Sequence, residues 1–124
     1  MKLEELNVYR LAMDMAEKIW DIVTGWDFFA RDTVGKQLVK AADSVAANLS
    51  EGFGRYHFRE KINFSYYSRG SLYETKTWLQ KAANRGLLNS DNYEYFIKRT
   101  EDIGIRLNNY IRLTSSSKNL PSDN

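Results

Sequence analysis

Apolar residues recur every three or four positions along most of this chain, which is the spacing of one face of an α-helix. Glycine-containing stretches divide the pattern into four segments, which predict helices over about residues 5–25, 30–52, 58–86 and 90–114. The only proline, Pro121, falls outside all four segments, so it interrupts none of the predicted helices. Four amphipathic helices with short connections predict an all-α fold, specifically an antiparallel up-down-up-down four-helix bundle.

One apolar face of each helix is expected to form the core of this bundle. In the first helix this face comprises Val8, Leu11, Ala12, Met15, Ile19, Ile22 and Val23. In the second it comprises Val34, Leu38, Ala41, Ala42, Val45 and Leu49. The third is predicted to turn inward Phe58, Ile62, Tyr66, Tyr73 and Ala83, with Leu72 and Leu79 at the border. The fourth contributes Tyr93, Phe96, Ile97, Thr100, Ile103, Gly104, Leu107 and Ile111, and its glycine is expected to permit close contact between backbones.

Small and polar residues mark the predicted helix ends. Gly25 and Gly86 are predicted to end the first and third helices. Gly52 and Gly54 are predicted to adopt the left-handed conformation that ends the second. Ser90 is predicted to be the N-cap of the fourth helix, because its hydroxyl can accept a hydrogen bond from a free backbone N–H.

Two helices carry a second apolar stripe besides the face assigned to the core. The first helix has Tyr9, Met13 and Trp20 on this stripe, and the third has Phe64, Tyr67 and Trp78, with Ala82 beside them. This is more aromatic surface than a small monomer leaves in water, so the stripes predict an oligomer interface.

Composition supports a single globular domain, here assigned to residues 1–114. The chain has 124 residues, of which 43% are hydrophobic and 27% charged, close to globular averages. Residues 115–124 have neither periodicity nor bulk and are predicted to be a disordered C-terminal tail. The absence of cysteine, of a secretion signal and of a long apolar run predicts a soluble cytoplasmic protein without a membrane partner.

The charge distribution raises a nucleic-acid hypothesis. The net charge is only +2, but the residues after His57 include 11 basic and 7 acidic side chains. The predicted contacts on the last helix are Lys98, Arg99, Arg106 and Arg112. Tyr95, on the face away from the core, is expected to be able to stack an unpaired base. The alternative, an ordinary solvated helix face, stays open.

No residue pattern predicts catalysis, a metal site or a cofactor. His57 is the only histidine, and the glycine pair before it lacks the third glycine of a dinucleotide-binding loop. Arg69 falls on the face assigned to the core, where a bare charge would be prohibitive. It is expected to pair inside the bundle or to lie at its edge, with a ligand site as the alternative.

Two segments carry a family resemblance. Residues 37–52 read QLVKAADSVAANLSEG and are followed by Arg55, and residues 69–74 read RGSLYE. Over about residues 5–114 the chain resembles the four-helix-bundle proteins encoded in 23S ribosomal RNA intervening sequences, which are related to accessory proteins of diversity-generating retroelements. The resemblance implies a ring-shaped homopentamer, and the retroelement relatives associate with RNA and a reverse transcriptase.

These observations together predict a non-enzymatic oligomeric scaffold or adaptor, without a small-molecule substrate, associated with RNA or a protein–RNA complex. One alternative is a protein-interaction module with no nucleic-acid role that uses Phe64, Tyr67 and Trp78. Another is a DNA-binding helix-turn-helix around residues 45–52, which the predicted helix lengths disfavour because that motif uses short helices.

Overall fold

The computed structural model describes residues 1–117, which form four long helices. A 3₁₀ turn at Leu3–Glu5 leads into the helices α1 (Asn7–Val23), α2 (Lys36–Phe53), α3 (Phe58–Asn84) and α4 (Ser90–Ser117). Residues 1–117 contain no β-strand, which confirms the all-α prediction. Residues 115–117, assigned to the tail, instead continue α4, and residues 118–124 of the predicted tail lie outside the described residues.

The start of the second predicted helix departs from a regular α-helix. A short α-helical turn, Phe28–Ala30, is capped by Asp27, whose Oδ1 accepts a hydrogen bond from the Ala30 N–H at 2.9 Å. A π-helical turn, Arg31–Gly35, then leads into α2. Gly35 is buried here, and a Cβ atom on it would lie 2.7 Å from Cγ1 of Val23. The π-helical turn therefore brings the backbone against α1 at a position that only glycine fits.

The core lies along the centre of the four helices. α2 and α3 share the most extensive interface, α3 also packs on α4, and α1 packs on both α2 and α4. The largest fully buried apolar side chains are Met15, Ile19, Leu38, Val45, Leu49, Leu79, Phe96, Ile103 and Leu107. Each contributes on the order of 1.5–3 kcal/mol by leaving water. The predicted core faces of the first, second and last helices are thus buried, with Leu11, Ile22, Tyr93 and Ile97 at their half-buried margins.

The predicted inward face of α3 is wrong at its tyrosines, whereas the predicted border residues Leu72 and Leu79 are buried. The other predicted residues, Phe58, Ile62 and Ala83, are half-buried. Tyr66 is exposed, Tyr73 is 62% exposed, and the buried side chains are Ser65, Ser68, Leu72, Thr75, Leu79 and Ala82. Ala82, placed on the outer stripe from the sequence, is fully buried. The sequence pattern misled because the inward face of α3 is built largely from small hydroxyl residues rather than from aromatic ones.

These hydroxyl groups can be buried because each one has a backbone acceptor. Ser65 and Thr75 donate to carbonyls one turn earlier in α3, at 3.1 and 2.8 Å. Ser68 Oγ donates across the interface to the Val45 carbonyl of α2 at 2.7 Å. The small side chains let α2 and α3 approach closely, while the tyrosines are turned toward solvent.

Gly86 has its predicted role at the end of α3, whereas Gly52 and Gly54 do not have theirs at the end of α2. Gly86 is the only described residue with a positive φ, at 75°, and it ends α3 as predicted. The Gly86 and Leu87 N–H groups donate to the Ala83 and Ala82 carbonyls at 3.1 and 2.9 Å, which is a Schellman cap. Gly52 lies inside α2 and Gly54 has a φ of −81°, so the left-handed assignment is wrong for both.

Two expectations for α4 are also corrected. Its N-cap is Asn89 rather than Ser90, because Asn89 Oδ1 accepts the Asn92 N–H at 2.8 Å and Ser90 is the first helical residue. Gly104 makes no close backbone contact, since a Cβ there would meet only Cδ2 of Leu72 at 3.6 Å. Its missing side chain instead leaves room in the groove between α3 and α4.

Candidate functional site

The four predicted nucleic-acid contacts, Lys98, Arg99, Arg106 and Arg112, lie on α4 and are called the basic face. Lys98, Arg106 and Arg112 are exposed, and Arg99 is half-buried. They span 15 helical residues, which is about 21 Å at the α-helical rise of 1.5 Å per residue. Because successive helical residues point about 100° apart, Arg99 and Arg106 lie on one side of this surface and Lys98 and Arg112 on the other, with Asp102 between them.

The three arginines of the basic face have partners within the chain. Arg106 Nε lies 3.2 Å from the Asp102 carboxylate, and Arg112 donates to the Asn109 side-chain oxygen. The Arg99 guanidinium lies 5.2 Å from the centre of the Tyr95 ring. Exposed contacts of this kind are weak, about 1 kcal/mol or less, so an RNA phosphate can replace them. Within residues 1–117, Lys98 has no ion-pair or hydrogen-bond partner on its side chain.

Tyr95 does not have the position predicted for a base-stacking residue. Its ring packs partly against the core, and its hydroxyl accepts a hydrogen bond from Lys18 Nζ of α1 at 2.7 Å. The Lys18 ammonium and the Arg99 guanidinium lie 5.3 and 5.2 Å from the ring centre. The Lys18 hydrogen bond, with a second from Arg99, lowers the pKa of the Tyr95 hydroxyl. Tyr95 thus joins α1 to α4, and the placement away from the core was wrong.

The predicted oligomer stripe of α1 lies along its interface with α2. Tyr9 is half-buried, Met13 is exposed, and Trp20 is 53% exposed. Tyr9 and Met13 line one groove between the two helices, and Trp20 lines a second groove farther along the same side. The stripe of α1 therefore leaves apolar surface in water on the α1–α2 side of the chain.

The predicted stripe of α3 is covered more fully by other residues of the same chain. Phe64 is half-buried against Gly52 of α2, and its ring makes an edge-to-face contact with Tyr67 at 5.4 Å. Arg55 also stacks on Phe64, with its Cζ atom 4.9 Å from the ring centre. Trp78 is half-buried against the core, whereas Tyr67 remains exposed. Most of this stripe's free apolar surface is therefore at Tyr67.

A pair of exposed aromatic residues in the first turn after Asp27 was not predicted from the sequence. Phe28 and Phe29 are 71% and 76% exposed. The sequence does indicate that at least one of the two is exposed, because adjacent aromatic residues next to an N-cap cannot both point toward the one buried face of a helix. Their exposure adds to the apolar surface near the π-helical turn.

Arg69 lies at the edge of the four helices. This is one of the two positions predicted for it, the other being a paired position in the interior. Its guanidinium donates to Asn108 Oδ1 of α4 at 3.1 Å and lies 4.8 Å from the centre of the Tyr66 ring. These contacts place Arg69 on one wall of a groove of about 290 Å³ between α3 and α4. Its partners are therefore a neutral amide and an aromatic ring rather than a buried carboxylate.

Two further properties of the described residues bear on the site. Within residues 1–117, no three histidine, cysteine or acidic side chains are grouped as metal ligands. None of the helices in that part of the chain combines the length and apolarity needed to cross a membrane.

Comparisons with known proteins place this geometry in a family. The chain resembles the crystal structure of a protein of unknown function from the S23 ribosomal protein family of Bacteroides thetaiotaomicron VPI-5482, with a TM-score of 0.77 and 19% identity. That match covers 85% of this chain and 95% of the other, and at such low identity it shows a shared fold. No curated protein matches the sequence. The sequence profile of the 23S rRNA-intervening sequence protein matches residues 4–109. Because the match covers most of the chain, this protein belongs to the 23S rRNA-intervening sequence protein family.

Proposed function

We propose that this protein is a non-enzymatic, oligomeric scaffold or adaptor of the cytoplasm that contacts RNA or a protein–RNA complex through the basic face of α4. The observation that carries the proposal is a set of four cations on one rigid helix, spread over about 21 Å of its length. Lysine and arginine side chains held on a rigid helix suit a phosphate backbone, because each neutralised phosphate releases a bound counterion. Membership of a family named for 23S rRNA intervening sequences is in keeping with an RNA partner.

We further infer an antiparallel up-down-up-down arrangement of the four helices. Two features support it. The principal contacts form a closed cycle, in which each helix packs on its sequence neighbours and α1 packs on α4. The connections are also short, since four residues separate α2 from α3 and five separate α3 from α4.

RNA binding across a salt series tests the proposed contact. The affinity is expected to fall steeply as salt rises, and Arg99→Glu/Arg106→Glu is expected to lower it at least about tenfold and to reduce the salt slope. The matched control is Arg59→Glu/Arg85→Glu, which makes the same charge change at exposed positions outside α4. Equal losses in both double variants would mean that only overall charge matters, and unaltered binding in Arg99→Glu/Arg106→Glu would reject the basic face.

The oligomeric part of the proposal is a homopentamer. Self-association is supported by the uncovered apolar surface of α1, at Met13 and Trp20, together with Tyr67 of α3, and the number five comes from the family resemblance. A particle that forms a closed ring through these surfaces is expected to scatter light as five times the 14.5 kDa chain. A monodisperse particle of single-chain mass at micromolar concentration would overturn it.

The second candidate is a protein-interaction module with no nucleic-acid role. It is favoured by the exposure of Tyr67, Phe28 and Phe29, which are large apolar side chains that a protein partner would cover. The two candidates separate in the same experiments, because this module would be a stable monomer whose RNA binding is absent at every salt concentration.

A further inference from the structure

The groove between α1 and α2 combines apolar walls with two unpaired carboxylates. Its volume is about 330 Å³, and it is lined by Tyr9, Met13, Glu17, Asp43, Ala46 and Ala47 among others. No lysine or arginine lines it, and within residues 1–117 neither Glu17 nor Asp43 forms an ion pair. Burial, with repulsion from Glu17, raises the pKa of the Asp43 carboxyl. The two carboxylates of this acidic groove repel each other and have no cation beside them, so a cation from another chain would be attracted to the groove.

The groove between α3 and α4 has the opposite charge. Arg69 and Lys76 stand on its α3 wall, Leu72 and Gly104 help to line it, and Ile105 on the α4 side is 64% exposed. Glu101 is the one carboxylate that lines it, against two cations.

The two cations of this basic groove are held in place without being neutralised. Arg69 is bonded to Asn108, and the Lys76 ammonium lies 5.8 Å from the centre of the Tyr73 ring. Within residues 1–117, neither cation forms an ion pair. Both positive charges therefore remain available to carboxylates from another chain.

The two grooves lie on opposite sides of the subunit. α1 and α3 each pack mainly on α2 and α4, so the α1–α2 and α3–α4 grooves face away from each other. One chain therefore cannot bring its own acidic groove to its own basic groove, whereas two copies can. The grooves are similar in volume, at about 330 and 290 Å³, and each has exposed apolar side chains beside its charges.

We propose that the acidic groove of one copy docks on the basic groove of the next, with Glu17 and Asp43 facing Arg69 and Lys76. Met13 and Tyr9 then cover Tyr73 and Ile105, so the contact buries apolar surface while its charges fix the register. This inference rests on the proposed self-association and assigns the contact to these two grooves, of which Met13 is a part and Trp20 and Tyr67 are not. The contact is heterologous, because different faces of the two copies meet, and it repeats from copy to copy.

A pair of charge-reversed variants tests this pairing directly. Glu17→Lys/Asp43→Lys makes both grooves basic, and Arg69→Glu/Lys76→Glu makes both grooves acidic. Each variant alone is expected to dissociate to monomers, with the dissociation constant raised about a hundredfold or more, because like charges meet across the contact. In an equimolar mixture the two variants are expected to bind each other, because every contact between unlike variants regains opposite charges.

The mixture gives a second readout. Its two variants must alternate around an assembly, so a closed ring of the mixture contains an even number of chains. If the wild-type ring is a pentamer, the mixed assembly is expected to differ from it in mass by light scattering.

The outcomes separate this inference from the proposal on which it rests. A monomeric wild type would refute self-association itself, and the groove pairing with it. A wild-type oligomer whose two reversed variants also assemble alone, or whose two variants do not bind each other on mixing, would overturn the groove pairing and leave self-association standing.

Two controls keep the test independent of folding. Arg99→Glu/Arg106→Glu makes a charge change of the same size outside both grooves and is expected to leave assembly unchanged. Arg69→Gln/Lys76→Gln removes the cations without adding acids, and it is expected to weaken assembly about tenfold while circular dichroism stays helical. Retained wild-type assembly in this milder variant would also contradict the pairing.

Discussion

The α2–α3 and α1–α4 interfaces hold the same bundle together by different means. α2 and α3 meet through small buried residues, with Gly52 against Phe64 and Ser68 bonded to the Val45 carbonyl. α1 and α4 share a smaller contact, where the polar tie from Lys18 to Tyr95 lies at the surface. Close packing is sensitive to single atoms, whereas an exposed polar tie exchanges readily with water.

This difference assigns separate roles to the two interfaces. The α2–α3 interface is expected to set the stability of the subunit, because its buried contacts cannot be lost without leaving voids or unpaired groups. The α1–α4 interface includes Arg99 of the basic face, so its polar contacts can be exchanged for a ligand at little cost. Substitutions at matched positions measure how far the two interfaces differ.

The largest effect is expected from Gly52→Val in the α2–α3 interface. Even a Cβ atom at this position would lie 2.8 Å from Phe64 Cβ and 3.2 Å from the Lys61 carbonyl oxygen. The helices must move apart to admit the new side chain, which is expected to cost about 1–3 kcal/mol or more of unfolding free energy. Chemical denaturation followed by circular dichroism measures the change.

Gly70→Ala is the matched control, since Gly70 is a helical glycine of α3 with no atom within 4 Å of an added Cβ. This variant is expected to gain about 0.5–1 kcal/mol of unfolding free energy, because alanine favours the helix over glycine. Similar losses in Gly52→Val and Gly70→Ala would show that the close approach of α2 and α3 does not limit stability.

A smaller loss is expected from Ser68→Ala, which removes the buried hydrogen bond between α3 and α2. The unfolding free energy should fall by about 1 kcal/mol, the usual net value of such a bond. Thr77→Ala is the control, because the Thr77 hydroxyl is exposed and bonds only to Tyr73 of its own helix at 3.3 Å. A thermal-unfolding midpoint that shifts equally in the two variants would contradict a special role for the Ser68 bond.

The same contrast explains which parts of the fold the sequence could predict. Large aliphatic residues mark the inward faces of α1, α2 and α4, so the helical period identified Ile19, Leu38 and Leu107 correctly. In α3 the inward positions are occupied by residues such as Ser68 and Thr75, whose burial depends on acceptors that only the folded chain supplies. The hydrophobic pattern of the sequence contains no information about those acceptors.

The candidate site was predictable to a similar extent. The sequence placed the cations of the basic face on one helix, and α4 does carry them. It could not reveal that Lys18, 77 residues away, bonds to Tyr95, nor that Arg69 and Asn108 meet across a groove. Those contacts depend on which helices are neighbours in space, which helical periodicity does not specify.

The smallest change in stability is expected from Tyr95→Phe in the α1–α4 interface. The ring keeps its packing and only the surface hydrogen bonds of the hydroxyl with Lys18 and Arg99 are lost, so the thermal midpoint at pH 7 should stay nearly constant. The bond is instead visible in titration, because Lys18, followed by Arg99, lowers the pKa of the Tyr95 hydroxyl from its ordinary value of 10.0.

A depressed pKa in the folded state means that ionised Tyr95 adds stability above pH 10.0, and this stability is lost as the pH falls through the depressed value. The difference in ultraviolet absorbance between wild type and Tyr95→Phe should therefore show one tyrosine titrating below pH 10.0. Lys18→Gln removes the larger cause and should move that transition upward, while Lys76→Gln, beside Tyr73, should leave it in place. If the Tyr95 transition stays at the same pH in Lys18→Gln, the hydrogen bond between Lys18 and Tyr95 does not persist in solution. The α1–α4 interface would then be even weaker, relative to the α2–α3 interface, than its contacts indicate.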